Sequence, residues 1–369
     1  MNKPVGLSKD DSLIIKGVAI LAMMWHHCFL NESRFSQYDL TFFPFTQSQV
    51  INIASFLKIC VGLFAFVSGY GLFCSLSKDG PSGVGSAKDM VRWYKTRYIR
   101  SFSDYWLIVL LCCVICQLLD GSTASTYFKD SMFTGMLNLV FSVVGVSSIL
   151  DTPLLVGTWW YMSAALVYIL LAPILYWVIR RFSSIACIGI AIVGARVAGG
   201  YPGSTHYLTF LPAFIMGMTC ANAAFFDRVN KWSDDSPYKK AGLIAFLLAT
   251  MVFFYKFNLS FSSSKFWDVK WGLFIPIYVL CIVMTVAKVP FLNSMLRFLG
   301  EWSAELFLIH TLIRSRYCSA FVYAEGHFAL VMVRLIALTL LVALAFRLFK
   351  RVIRYDAAIS RLLERVSSQ

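Results

Sequence analysis

The segment LIIKGVAILAMMWHHCFL, from Leu13 to Leu30, is almost wholly apolar and yet contains Lys16, His26 and His27. A helix that crosses a hydrocarbon core needs about 20 mostly apolar residues, and this run with its flanks supplies them. It ends without a small-residue cleavage site, so it reads as a retained span and not as a signal peptide. Titratable groups inside such a span are costly and mark function by default. A membrane helix with working chemistry on it is therefore the first expectation.

The rest of the chain agrees. Of 369 residues 59% are hydrophobic and 14% charged, and the mean hydropathy is +0.70. Soluble domains are nearer half apolar and a quarter charged, which excludes a water-soluble globular enzyme and a disordered chain. Aromatic residues at 16% suit interfacial belts. Further apolar runs lie near 50–76, 100–119, 158–179, 184–198, 206–225, 240–257, 270–288, 297–317 and 328–350. The expected fold is an all-α polytopic membrane bundle of about ten helices, with both termini cytoplasmic.

Charge sets that orientation. An eleventh stretch, Gly135 to Leu150, is apolar but short. If it does not cross, Lys78, Lys88, Arg92, Lys95, Arg97, Arg180, Arg181, Lys239, Lys240, Lys288 and the basic tail share one side with the N-terminus, as the positive-inside rule asks. The stretch is then re-entrant or lies along the outer surface. Lys256, Lys265 and Lys270 oppose the rule from an outer loop, partly offset by Asp268. Residues 1–350 are expected to form the membrane domain, and 351–369 a basic amphipathic tail, suited either to anionic membrane lipids or to a solvated helical end of the last span.

The net charge of +14 sits in short clusters between apolar runs, which is not a nucleic-acid footprint. The 10 cysteines fall in apolar segments, where cysteine acts as a small hydrophobe, and no metal site is expected. The loop Lys78 to Lys88 lacks the Gly-Lys-Ser/Thr ending of a phosphate loop and reads as a flexible connector.

Lys16 and His27 are eleven residues apart, three helical turns and roughly 16 Å, and share one helix face. His26 points about a quarter-turn away. Arg97 and Arg100, three apart at the start of the 100–119 run, share a face and suit a phosphate clamp, although an ordinary positive-inside cluster would look similar. In 297–317, Ser303, His310 and Arg314 form one stripe, and Glu301 with Glu305 another, turned well round the helix. His27 and His310 are expected at similar depth in the outer half of the membrane, a place where protons move. Neither stands near a nucleophile elbow, so a serine hydrolase is not indicated. Gly62, Ser68, Gly69 and Gly71 suit close helix packing, and Trp159 and Trp160 an aromatic belt or a sugar platform.

In order, these segments resemble the integral membrane acyltransferase family 3. The resemblance rests on Lys16 and His27, on Phe66-Val67-Ser68-Gly69-Tyr70, and on Arg97 and Arg100 followed by Tyr105-Trp106. It rests further on Trp160-Tyr161-Met162-Ser163 and on Gly300, Ser303 and His310. Lysine stands at 16 where the family carries arginine, Ala304-Glu305 replaces a common Tyr-Ser pair, and Ala165 stands where some members carry glutamate. No appended extracytoplasmic hydrolase-like domain is seen.

The resemblance implies transfer of an acyl group, usually acetyl, from cytoplasmic acyl-CoA to a hydroxyl of an envelope or exported glycan. It makes His27, His310 and Ser303 the catalytic set, Lys16, Arg97 and Arg100 the acyl-CoA grip, and Trp160, Tyr105 and Glu305 the acceptor side. Acetyl-CoA enters as donor substrate and no permanently bound cofactor is implied; the setting is the cell (cytoplasmic or inner) membrane. The rival reading, a proton-coupled transporter or flippase, predicts interrupted helices related by an internal repeat, and none is visible. A non-catalytic scaffold would leave the histidines and the Arg-x-x-Arg unexplained.

Overall fold

The fold was obtained as a computed structural model that describes residues 6–78, 86–182, 185–190, 193, 208–261 and 267–368, the side chains of 258–271 aside. Helices α1 (Lys9–Phe29), α2 (Gln47–Phe56), α3 (Cys60–Ser77), α4 (Ala87–Asp120), α5 (Ser122–Tyr127), α6 (Met132–Val144) and α7 (Trp160–Arg181) make the first half. The second half holds α8 (Leu211–Asn222), α9 (Phe225–Asp234), α10 (Pro237–Phe261), α11 (Trp267–Met284), α12 (Pro290–Glu301), α13 (Ser303–Leu312), α14 (Phe328–Val352) and α15 (Tyr355–Ser368). Two short strands, β1 (Leu40–Thr41) and β2 (Gly326–His327), pair in parallel and tie the loop after α1 to the start of α14.

Among the described residues six helices are long and apolar enough to cross a membrane, and α6, α8 and Gly272–Lys288 are shorter apolar ones. Large apolar side chains are left bare along the lengths of these helices, among them Val114 and Leu118 on α4, Val252 and Phe253 on α10 and Leu341 on α14. A water-facing surface of that kind would aggregate; in hydrocarbon it is solvated. The all-α membrane architecture read from the sequence stands. The expected span over 184–198 lies largely outside the described residues, with 185–190 helical, as do most of the 78–88 loop, Lys265 and the side chains of Asp268 and Lys270.

Two helix crossings bring backbones into contact through glycine. Gly17 of α1 faces the Leu296 carbonyl of α12, and Gly300 of α12 faces the Leu13 carbonyl in return. Gly69 of α3 and Gly217 of α8 repeat the device against Phe214 and Phe66. Hydrocarbon supplies no hydrophobic drive between helices, so van der Waals packing through small residues does the joining. Of the small residues expected to pack, Gly69 seats against the Phe214 carbonyl and Gly62 against the Ile275 side chain; Gly71 has open space around it and Ser68 turns to a cavity.

The chain departs from a plain series of spans in two places. The expected span 297–317 breaks at Trp302: α12 runs against α1, the chain turns a corner, and α13 carries His310 back to His27. A π-helical turn, Ile313–Tyr317, then ends that helix.

The other departure is α6, which descends beside α4. Tyr105 Oη donates to the Ser142 carbonyl at 2.8 Å and Tyr98 Oη to the Val144 carbonyl at 3.0 Å. Gly145, at φ +87°, reverses the chain, and Ser163 Oγ secures its carbonyl at 2.7 Å. The segment then climbs back to Thr158, near His310. It enters and leaves at the same end of the bundle, the re-entrant form of the alternatives that charge had left for 135–150.

Candidate active site

Helices α1, α3, α4, α7 and α13 enclose a cavity of about 340 Å³. Lys16, Arg100 and Asp104 line one end, and His27, Thr158 and Leu308 the other, with Ser303, Tyr105 and Trp160 on the walls. A second cavity of about 310 Å³ shares Lys16, Ser68, Ser101 and Ala165 with the first and adds Arg97. The two adjoin along the Lys16–His27 face of α1, with cations where they meet and an imidazole at the far end of the first. Neither Lys16 nor Arg100 has an ion-pair partner among the described residues. Arg97 is held by the Ser75 hydroxyl and lies over the Trp93 ring at 5.8 Å.

The histidines differ in their fixings. His26 is buried, and its Nδ1–H donates to the Ala54 carbonyl at 2.7 Å, a packing role away from the cavity. The His310 ring is fully buried, with Nδ1 at 2.8 Å from the Phe307 carbonyl and 3.0 Å from that of Leu306. Carbonyls accept only, so Nδ1 carries the proton and Nε2 is left as an acceptor. Thr311 Oγ1 stands 3.1 Å from that Nε2 and donates to it, and Thr158 Oγ1 lies 3.2 Å from Thr311 Oγ1. A chain of hydroxyls thus runs from the cavity wall to a tautomer-locked imidazole. The His27 ring centroid is 5.2 Å from that of His310, and no side-chain hydrogen bond occupies the His27 ring among the described residues. His27 is therefore the imidazole open to the cavity.

A second set of contacts anchors the end of α1. Arg34 Nη1 donates to the His27 carbonyl at 2.6 Å, and Tyr323 Oη to the Cys28 carbonyl at 3.1 Å. Arg34 also places positive charge at the negative end of the helix dipole, and the last turn, with His27 on it, is held firmly.

The remaining expected residues divide. Ser303 lines the cavity but donates its hydroxyl proton to the Gly300 carbonyl at 2.8 Å, leaving its oxygen as an acceptor. Tyr105 presents its ring, its hydroxyl being spent on Ser142. Trp160 stacks near Phe210 and faces the cavity. Glu305 does not line this cavity. Its carboxylate accepts from Arg347 Nε at 2.5 Å, while Arg347 Nη2 bonds the Glu301 carbonyl at 2.8 Å and the guanidinium lies 3.6 Å from the Trp302 ring centroid. Arg314, expected on the His310 stripe, reaches Tyr323 Oη at 3.5 Å. Sequence reading missed Thr158, Thr311 and Asp104. Thr311 adjoins His310 in sequence, but no spacing singles out the other two. Among the described residues no three metal-ligating side chains converge.

Residues 13–348 match the model of an acyltransferase domain family, acyltransferase family 3, a span that contains every residue of the cavity. The chain belongs to that family. No curated protein and no solved structure matches it. As a family-3 acyltransferase it is a membrane transferase, and its cavity pairs a cationic entry with an open imidazole.

Proposed function

We propose that the protein transfers an acyl group, acetyl in the first instance, from cytoplasmic acyl-CoA to a hydroxyl of an envelope or exported glycan. It would act in the inner membrane, as a bundle of about ten spans with both termini cytoplasmic. The observation that carries this reading is a pair of adjoining cavities that share Lys16, with Arg97 and Arg100 beside it and His27 at the far end of the first. The cations suit the donor's phosphates. The thioester on its flexible arm then reaches along the α1 face toward His27.

At that end His27 takes the proton of the acceptor hydroxyl as its oxygen attacks the thioester carbonyl. The tetrahedral intermediate collapses, the C–S bond breaks, and the CoA thiolate recovers the proton from the imidazolium. His310 is the neutral partner that packs against His27 and fixes its place. The Ser303 oxygen and the Thr158 hydroxyl suit orientation of the acceptor, because the Ser303 proton and both His310 nitrogens are already engaged.

Membrane vesicles with the cytoplasmic face outward, given labelled acetyl-CoA, test this. Label entering the glycan fraction only where the protein is present is the expected result. Equal label in vesicles lacking the protein would refute it.

A further inference from the structure

The donor end of the cavity contains an acid as well as cations. Asp104 lines it beside Arg100, and the two stand four residues apart on α4. Opposite charges at that spacing are neighbours on a helix surface and attract. Yet the Asp104 carboxylate is not on Arg100. It accepts from Lys350 Nζ at 2.6 Å, across from α14. Lys350 is well buried, its side chain 10% exposed, and its ammonium also meets Asp356 at 2.8 Å. Asp356 opens the C-terminal helix α15, where the neighbouring Tyr355 Oη donates to the Ser103 carbonyl at 2.6 Å. One lysine thus joins the last long helix, the C-terminal helix and the wall of the donor cavity. Positive-inside charge balance explains basic residues here, but not a buried lysine held between two carboxylates.

We propose that Lys350 is a positioning residue for the donor site: by holding the Asp104 carboxylate it leaves the Arg100 guanidinium free for the acyl-CoA phosphates. This rests on the donor reading given above. Without Lys350, Asp104 turns to Arg100, neutralises it and repels the phosphates that Arg100 would bind. The C-terminal helix, fixed through Asp356 and Tyr355, keeps Lys350 in place and so belongs to the donor site without touching substrate.

The test uses the full chain in cytoplasm-out vesicles, with initial rates over a range of acetyl-CoA for wild type, Lys350→Met, Lys350→Arg, Asp104→Asn and the Lys350→Met/Asp104→Asn pair. Lys350→Met should raise the acetyl-CoA KM about three- to tenfold with kcat within about twofold, as loss of ground-state grip does. The double variant should return KM to near the wild-type value, and Lys350→Arg should stay near it throughout. Asp104→Asn alone should leave KM at or below wild type, and it reads out even if Lys350→Met does not insert.

An unchanged KM in Lys350→Met, a fall in kcat that Asp104→Asn does not rescue, or a raised KM in Asp104→Asn would each overturn the proposal. Wild-type rates that do not saturate with acetyl-CoA would overturn the donor reading itself, and so are distinct from failure of the lysine alone.

Discussion

Glu305 is the residue on which the structure makes the sharpest demand. Its side chain is 4% exposed and that of Arg347 33%, so the carboxylate is the desolvated partner of the pair. Removing Arg347 strands a buried charge, a loss that costs about 3–5 kcal/mol when one member of a buried pair is deleted. Removing the charge of Glu305 strands only a partly solvated guanidinium that still has the Trp302 face and the Glu301 carbonyl, for about 1–2 kcal/mol. Removing both together should cost about 1–2 kcal/mol, because no uncompensated charge remains. The cycle of Arg347→Met, Glu305→Gln and the double variant should therefore show coupling of about 3–5 kcal/mol, with Arg347→Met the worst single variant. Unfolding in detergent reads the stabilities, and acceptor KM on the same preparations reads the site. Single variants of equal, small effect, or a Glu305→Gln that changes acceptor KM while stability holds, would refute the pairing and put Glu305 back on the substrate.

Three further outcomes follow from the geometry. Thr311→Val removes the donor to His310 Nε2 and should lower kcat about tenfold, while Thr158→Val should do less; the stability of each should fall by about 1 kcal/mol, the net worth of one hydrogen bond. Gly217→Ala drives a methyl into the Phe66 carbonyl and should destabilise by about 1–3 kcal/mol in a thermal melt, whereas Gly71→Ala, with open space around it, should be silent there. Arg97→Gln/Arg100→Gln should raise acetyl-CoA KM by tenfold or more with kcat changed little, each lost charged contact being worth about 1.5–3 kcal/mol; an unchanged donor dependence would leave the two arginines as topology signals.

Much of the site was legible because charge in an apolar segment has few excuses. Lys16 and His27 were placed on one helix face by phase alone, and the cavity runs along that face. Phase also set Glu305 apart from the Ser303–His310 stripe, in agreement with its position outside the cavity. Its partner was not legible, since Arg347 lies 42 residues on and in another helix. The corner at Trp302 was hidden for a different reason. The run 297–317 is long enough for one span, and although Glu301, Ser303 and Glu305 stand at the corner, the reversal goes with Gly300 seating against Leu13, a tertiary contact that no periodicity reports. For 135–150 charge counting favoured a segment that does not cross, but the descent beside α4 depends on Tyr98 and Tyr105 reaching carbonyls 46 and 37 residues away. The hydroxyl chain through Thr158 and Thr311 spans 153 residues and had no sequence signal on the Thr158 side.

The central claim is that His27 does the chemistry and the cations at the entry hold the donor. The most direct measurement compares wild type with His27→Ala in the same vesicles for two quantities, labelled acetyl-CoA bound and label transferred. The account predicts donor binding within about twofold of wild type and transfer reduced at least a hundredfold, the usual scale of a lost general base. Transfer that persists without His27 would contradict it, and move the base to another group of the cavity.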